Sequence, residues 1–335
     1  MRIAELGEFG LIDRLNRDLI AVPEEVICGI GDDAAVLPAQ QKDLLFTTDM
    51  LVEEVHFSLN FSTLYQIGWK AMVSSVSDIA AMGGRPSNAT ISMAIPRGIE
   101  VELLEDLYAG MRAACHQFGV NIVGGDTVKT SGPMVFNISL LGWVDQGKAV
   151  YRSGAQPGDL ILVSGTLGDS AGGLKVLKND LSGLPPAKRE WLVNKHLEPQ
   201  PQPALGQALA ATGWITSMND VSDGLASEIL EITTASQVGC VVDDAEIPIS
   251  VPLFRLAAQL NLDAMELALF GGEDYQLVFT IKPEHLESIE QVAAELGQPV
   301  TVVGQITEQS AGNLRKTIKG RIIPLVAKGY NHFRA

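Results

Sequence analysis

Residues 62–95 read STLYQIGWKAMVSSVSDIAAMGGRPSNATISMAI, and this stretch sets the fold class. Leu64, Ile67, Ala71 and Met72 recur at helical spacing, which predicts a helix over Ser62–Met82. Gly83-Gly84 stops it and Pro86 follows. Asn88 to Ile95 then reads as a strand. A helix feeding directly into a strand predicts a mixed α and β chain. Asp78 stands late in this otherwise apolar helix. Aspartate is rarely buried unless it is paired or holds a metal, so Asp78 is a candidate ligand; the competing reading is an exposed, serine-rich stripe.

The same alternation extends in both directions. Leu44 to Thr48 reads as a short buried strand ending at Asp49. Val101 to Phe118 reads as an amphipathic helix with Leu104, Leu107, Met111, Cys115 and Phe118 on one stripe. Asn121 to Val123 reads as a strand that enters a Gly124-Gly125-Asp126-Thr127 turn, and Met134 to Val144 closes the first half. Asp145-Gln146-Gly147-Lys148 is the expected boundary, giving domains 1–145 and 146–335. In the second half, Leu160–Ser164 and Gln276–Ile281 read as strands. Leu181–Pro203, with Pro185, Pro186, Pro199, Pro201 and Pro203, reads as the loosest interior segment. A length of 335 residues suits two cores better than one.

Composition narrows the function. Lys plus Arg number 24 and Asp plus Glu number 40, a formal charge of −16. Such a balance argues against nucleic acid or an anionic membrane as the main partner. It does not argue against an anionic substrate, because bound cations reverse the local sign. Cys28, Cys115 and Cys240 are far apart and form no CxxC, which predicts no disulfide framework and a reduced, cytoplasmic setting. Met1 to Ile20 shows no signal-peptide apolar region, and no apolar run approaches the roughly 20 residues that span a bilayer.

The acidic residues are clustered beside strand ends and glycine-rich turns: Asp32-Asp33, Thr47-Thr48-Asp49, Asp78, Asp126, Asp220-Val221-Ser222-Asp223-Gly224 and Gly271-Gly272-Glu273-Asp274. Carboxylates brought together repel unless one is protonated or a cation intervenes. Mg²⁺ prefers oxygen ligands and pairs a few carboxylates with substrate phosphates. Convergence of these segments predicts a metal-phosphate site. Each cluster also has a plainer reading. Asp32-Asp33 is a good turn, Asp49 a candidate cap for the next helix, and Gly124–Thr127 an ordinary turn. Ser222 or Asp223 is a candidate cap for a helix carrying Leu225 and Ile229, at whose N-terminus a phosphate is equally favoured. Gly165–Gly173 is a second candidate phosphate loop, but no Walker A Gly-Lys-Ser/Thr follows it. Gly29-Ile30-Gly31 is no Rossmann fingerprint, since Ala34 stands where the third glycine belongs. The five histidines are scattered, which disfavours a zinc site.

Taken in order, Gly29–Ala35, Thr48–Phe57, Gly68–Ala71, Ser77–Gly83, Gly124–Thr127, Ser164–Ser170, Asp220–Leu225, Gly271–Tyr275 and Lys328–Phe333 resemble the thiamine-monophosphate kinase family along nearly the whole chain. The resemblance implies an α/β (α+β), two-domain aminoimidazole ribonucleotide synthetase-like fold. Its N-terminal sheet pairs across a homodimer, and its C-terminal α/β domain completes the active-site cleft. It implies ATP-dependent conversion of thiamine monophosphate to thiamine diphosphate with several Mg²⁺ ions, and leaves room for a monovalent cation. By the resemblance, Asp33, Thr47, Thr48, Asp49, Asp78, Asp126, Asp220 and Asp223 hold metal, with Asp49, Asp78, Asp126 and Asp220 closest to the chemistry. Tyr108, Gly125, Asp126, Arg152 and Ser222 contact ATP, and His56, Glu273 and Tyr330 contact thiamine phosphate. The alternatives are a sister enzyme of the aminoimidazole ribonucleotide or selenophosphate synthetase type, a hydrogenase maturation protein, or a non-catalytic nucleotide- or thiamine-binding regulator. Against selenide, no cysteine stands in the N-terminal glycine-rich segment that the selenium enzymes carry, and against the hydrogenase role, Arg334-Ala335 lacks that family's terminal cysteine.

Overall fold

The computed structural model describes residues 14–15, 17–30, 35–179 and 184–329. The chain divides into two compact units. One comprises Met1–Ile79 and Gly84–Gly147, the other Ala80–Gly83 and Lys148–Ala335.

The first unit is a four-stranded sheet with two helices. Its strands are β1 (Asp43–Val52), β2 (Arg85–Pro96), β3 (Asn121–Thr130) and β4 (Val135–Val144), in the order β1-β4-β2-β3. β4 is antiparallel to β1 and to β2, and β2 is parallel to β3. The parallel pair is joined through α2 (Val101–Phe118), which follows α1 (Leu64–Ala81) in the chain. α2 ends at Gly119 in the left-handed region, φ 68°. The two helices meet at glycines: a Cβ at Gly68 would collide with the Leu107 carbonyl, and one at Gly110 with the Tyr65 carbonyl. Glycine inside a helix costs about 1 kcal/mol relative to alanine. Here it permits backbone contact, and Met72, Leu104, Leu107 and Met111 are fully buried around it.

Strand alternation gives this sheet two unlike faces. Leu45, Leu51, Ile91, Met93, Ile138 and Leu140 are buried. The residues between them are not: Phe46 is 67% and Met50 57% exposed, and Thr48, Thr90 and Ser92 are exposed beside them.

The second unit is a seven-stranded sheet ordered β11-β10-β7-β9-β5-β8-β6. Its strands are β5 (Leu160–Ser164), β6 (Ile215–Asp220), β7 (Gly239–Asp243), β8 (Leu277–Ile281), β9 (Val300–Thr307), β10 (Asn313–Lys316) and β11 (Ile322–Pro324). All pairings are antiparallel except β7 with β10. The helices are α3 (Asp169–Lys178), α4 (Pro186–Leu197), α5 (Pro203–Thr212), α6 (Leu225–Ser236), α7 (Val251–Leu260), α8 (Ala264–Phe270) and α9 (Leu286–Glu295). Both faces of the sheet are covered. Ile161, Val163, Val278 and Val303 pack with Leu225, Ile229 and Leu269 on one side. Leu162, Met218 and Phe279 pack with Leu205, Leu209 and Ile289 on the other. This explains why β5 and β8 read as continuous apolar runs rather than alternating ones.

Three expectations need correction. The Gly124–Thr127 segment is not a turn, because β3 continues to Thr130 and pairs with β2 throughout. Glycine at 125 is required by that pairing, since a Cβ there would strike the Ile91 carbonyl. Asp49 is not at a strand end, because β1 continues to Val52. Leu181–Pro203 is not loose where it is described: Pro186 begins α4 and Pro203 begins α5. Proline at the first helical position loses no hydrogen bond, so the prolines start helices here rather than prevent them.

Candidate active site

In the first unit, β1 and α1 bring three of the expected ligands to the covered face of the sheet. Thr47 and Asp49 point the same way because they are two residues apart. Thr47 Oγ1 donates to Asp78 Oδ2 at 2.5 Å, and Ser75 Oγ donates to Asp49 Oδ2 at 2.6 Å. Burial pushes the Asp49 carboxyl above its ordinary range, with partial relief from Ser75, His56 and Ser74. His56 is held by the Val52 N–H, which donates to its Nδ1 at 3.0 Å. It thus lies near Asp49.

Two further candidates lie on the open face. Thr48 Oγ1 donates to Asn137 Oδ1 at 3.1 Å and is 3.2 Å from Ser139 Oγ. The register runs Met50–Asn137–Ser92–Asp126 across the sheet, so Asp126 shares that face. β1 and β3 are opposite edges, three strand spacings or about 14 Å apart. Among the described residues no three His, Cys, Asp or Glu side chains are grouped to hold one metal ion. The donors themselves are all oxygen, from carboxylates and hydroxyls, which is the chemistry that suits Mg²⁺. Tyr108 is buried in α2, and burial pushes its phenol up to about 12. Asp33 and Tyr330 lie outside the described residues.

In the second unit, two loops run side by side. Asp220 ends β6, and the Ser222 carbonyl accepts from the Glu273 N–H at 2.7 Å. The Val221 carbonyl accepts from the Tyr275 N–H at 2.9 Å, and the Gln276 carbonyl accepts from the Val221 N–H at 2.7 Å. The Gly271–Asp274 segment is thereby zipped to the Asp220–Gly224 segment. Glu273 takes a left-handed backbone, φ 64°, an uncommon conformation for a residue with a side chain. Its Oε2 is 3.3 Å from Nδ1 of the buried His196, which is itself 3.0 Å from Ser170 Oγ.

Neither Ser222 nor Asp223 caps α6, whose cap position is Gly224. The carboxylate of Glu228 instead reaches back from the helix to the loop before it. Its Oε1 accepts from the Asp223 N–H at 2.8 Å and from Ser222 Oγ at 3.3 Å. Burial pushes Glu228 up to about 7, offset in part by the Asp223 N–H. Arg152 is tied to the same group: its Nε donates to Asn219 Oδ1 at 3.1 Å, and its Nη1 lies 3.1 Å from Glu231 Oε2.

The candidate phosphate loop at Gly165–Gly173 is already filled. Asp274 accepts from the Gly168 N–H at 2.5 Å and the Ser170 N–H at 3.1 Å, at the N-terminus of α3. A carboxylate from the chain's own fold takes the place an anion would occupy. Burial pushes Asp274 up to about 7 against the pull of those two donors. Sequence reasoning missed Glu228, Asn219 and His196. Only the helical spacing of Glu228 after Asp223 could have hinted at a reach back to the loop.

Comparison with known proteins places this architecture. Residues 31–144 match the AIR synthase related protein, N-terminal domain, and residues 156–316 match the AIR synthase related protein, C-terminal domain. Thiamine-monophosphate kinase of Bacillus subtilis (strain 168) is 35% identical over 332 residues, covering 98% of this chain and 100% of the relative. The crystal structure of thiamine-monophosphate kinase from Stenotrophomonas maltophilia K279a superposes with a TM-score of 0.83 at 34% identity, over 96% of this chain and 98% of that one. The structure of AaThiL complexed with AMPPCP and TMP superposes with a TM-score of 0.78 at 32% identity, over 99% of each chain. With these full-length likenesses and the motif residues in family order, the chain belongs to the thiamine-monophosphate kinase family.

Proposed function

We propose that this protein transfers the γ-phosphoryl group of ATP to thiamine monophosphate, giving thiamine diphosphate and ADP. The observation that carries the reading is the near-complete likeness to thiamine-monophosphate kinases, one of which, AaThiL, is known in complex with AMPPCP and TMP. An oxygen of the acceptor phosphate attacks the γ-phosphorus in line, and the bond from that phosphorus to the bridging oxygen of ADP breaks. The acceptor needs no general base, because a phosphate monoester is largely ionised at neutral pH (second pKa about 6). Two anions must meet, so neutralisation and alignment are the main tasks.

Asp33, Thr47, Thr48, Asp49, Asp78, Asp126, Asp220 and Asp223 would hold Mg²⁺, which supplies charge neutralisation on the phosphate oxygens. Arg152 offers a guanidinium fork to phosphate oxygens, and Tyr108, Gly125, Asp126 and Ser222 complete the nucleotide contacts. Glu273 presents its charge to the cationic thiazolium-bearing substrate, with His56 and Tyr330 as further contacts. Residues 1–145 would bind nucleotide and metal, and residues 146–335 would complete the site.

A homodimer fits this reading. The open face of the first sheet exposes Leu44, Phe46 and Met50 together, and it carries Thr48 and Asp126. Contiguous exposed apolar residues mark association surfaces. Phe46→Asp should therefore give a monomer by light scattering; an unchanged dimer would remove this face from the interface. No helix among the described residues is long and apolar enough to cross a membrane. Cys28, Cys115 and Cys240 are free thiols, which supports a reduced, cytoplasmic setting. Ion substitution tests for a monovalent cation alongside Mg²⁺.

The test is ADP release from Mg-ATP with and without thiamine monophosphate, followed by product identification. ADP and thiamine diphosphate in equal amounts, dependent on the acceptor, would establish the reading. ADP release indifferent to the acceptor would overturn it in favour of a sister enzyme.

A further inference from the structure

Glu228 is 2% exposed, and nothing in the reading above gives it a part in the reaction. Yet it links the Ser222–Asp223 loop to Asn219, which in turn holds Arg152, and Ser222 and Arg152 are the expected nucleotide contacts of the second unit. Its Oε1 receives the Asp223 N–H and the Ser222 hydroxyl at 2.8 and 3.3 Å. Its Oε2 receives Asn219 Nδ2 at 2.5 Å. Asn219 Nδ2 also donates to Glu231 Oε2 at 3.2 Å. With its amide nitrogen committed to two carboxylates, Asn219 must turn its Oδ1 the other way, and that oxygen accepts from Arg152 Nε at 3.1 Å. Glu231 closes the ring by holding Arg152 Nη1 at 3.1 Å. Glu228 and Glu231 are three residues apart on α6, so one helix face delivers both.

We propose that Glu228 is a positioning residue for nucleotide binding: through one carboxylate it fixes the Ser222–Asp223 loop and, through Asn219, the rotamer of Arg152. The proposal rests on the reading of Arg152 and Ser222 as nucleotide contacts. A free arginine side chain samples many rotamers. A guanidinium already held at both Nε and Nη1 has less of that freedom to lose when it meets a phosphate. A carboxylate suits this junction because it only accepts, and three donors converge on it. Glutamine has the same shape but would turn an NH₂ toward either Asn219 Nδ2 or the Asp223 N–H.

The test is steady-state kinetics on Glu228→Gln, Glu231→Gln and Arg152→Ala, with urea unfolding of each. Glu228→Gln should raise the KM for ATP about tenfold, the worth of one charge-assisted hydrogen bond. The KM for thiamine monophosphate should stay within about twofold, a split that a loss of folded protein does not produce. Glu231→Gln, at the helix surface, should raise the ATP KM about threefold, as expected for a weak, half-exposed ion pair. It keeps the idea testable where Glu228→Gln does not fold. An ATP KM unchanged in both glutamine variants, with Arg152→Ala raised, would overturn the positioning proposal alone. An ATP KM unchanged in Arg152→Ala as well would overturn the nucleotide reading beneath it.

Discussion

In the first unit, the carboxylates of Asp49 and Asp78 receive hydrogen bonds from the hydroxyls of Ser75 and Thr47. In the second, Asp274 and Glu228 receive backbone N–H groups, from Gly168 and Ser170 and from Asp223. The difference separates two uses of the same chemistry. A hydroxyl can rotate its proton away and offer its own oxygen to a cation, which is compatible with the proposed ligand role of the first pair. A backbone N–H at a helix start or loop has no such freedom, so the second pair is committed to holding the chain in shape.

The sharpest way to break this comparison is Asp78→Asn. If Asp78 serves a cation, turnover at saturating Mg²⁺ should fall about 100-fold or more, as expected when one preorganised electrostatic group is lost, while urea unfolding changes little. Near-normal kcat would place Asp78 with the structural acids. Asp274→Ala should do the reverse. Two buried N–H groups lose their partner at about 1–3 kcal/mol each, so the midpoint of urea unfolding should drop sharply; an unchanged midpoint would mean that Asp274 does not hold the loop. Glu273→Gln should have a smaller effect, raising the KM for thiamine monophosphate about tenfold, as for one lost charged contact, and sparing that for ATP. An unshifted acceptor KM would remove Glu273 from the substrate contacts.

The smallest expected effect is on pH dependence. Asp274 is raised in the folded protein to about 7 from an ordinary value of 3.8. The folded state therefore binds the proton more tightly than the unfolded chain. The contribution of this proton is complete below about 4 and is lost as pH rises through about 7. Stability in urea should decline between about pH 4 and pH 7, and Asp274→Asn, which carries no titrating proton, should flatten that decline. An identical slope in the variant would assign the dependence to other groups.

Much of this was legible in the chain itself, and the reason is local. The stripe Leu104–Leu107–Met111–Cys115 placed α2 at Val101–Phe118, where it is found, because helical periodicity needs no partner to be read. Leu160–Ser164 and Gln276–Ile281 read as strands, and strands are found at Leu160–Ser164 and Leu277–Ile281. The acidic motifs, in their order, were enough to name the family. Sequence reasoning faltered where an element's limit depends on its neighbour: β3 runs past Gly124-Gly125 only because β2 lies beside it to pair with.

What only tertiary structure decided is the assignment of each carboxylate to a task. Asp49, Asp78, Asp274 and Glu228 differ little as letters. Asp274 meets the start of α3 through a contact 106 residues apart in the chain, and Glu228 meets Arg152 through an intervening asparagine. Period two also sends Thr47 and Thr48 to opposite faces, but which face is covered is set by where α1 packs. A side chain's chemistry is written in the sequence; its donors, its burial and hence its charge are supplied by whatever the fold brings next to it.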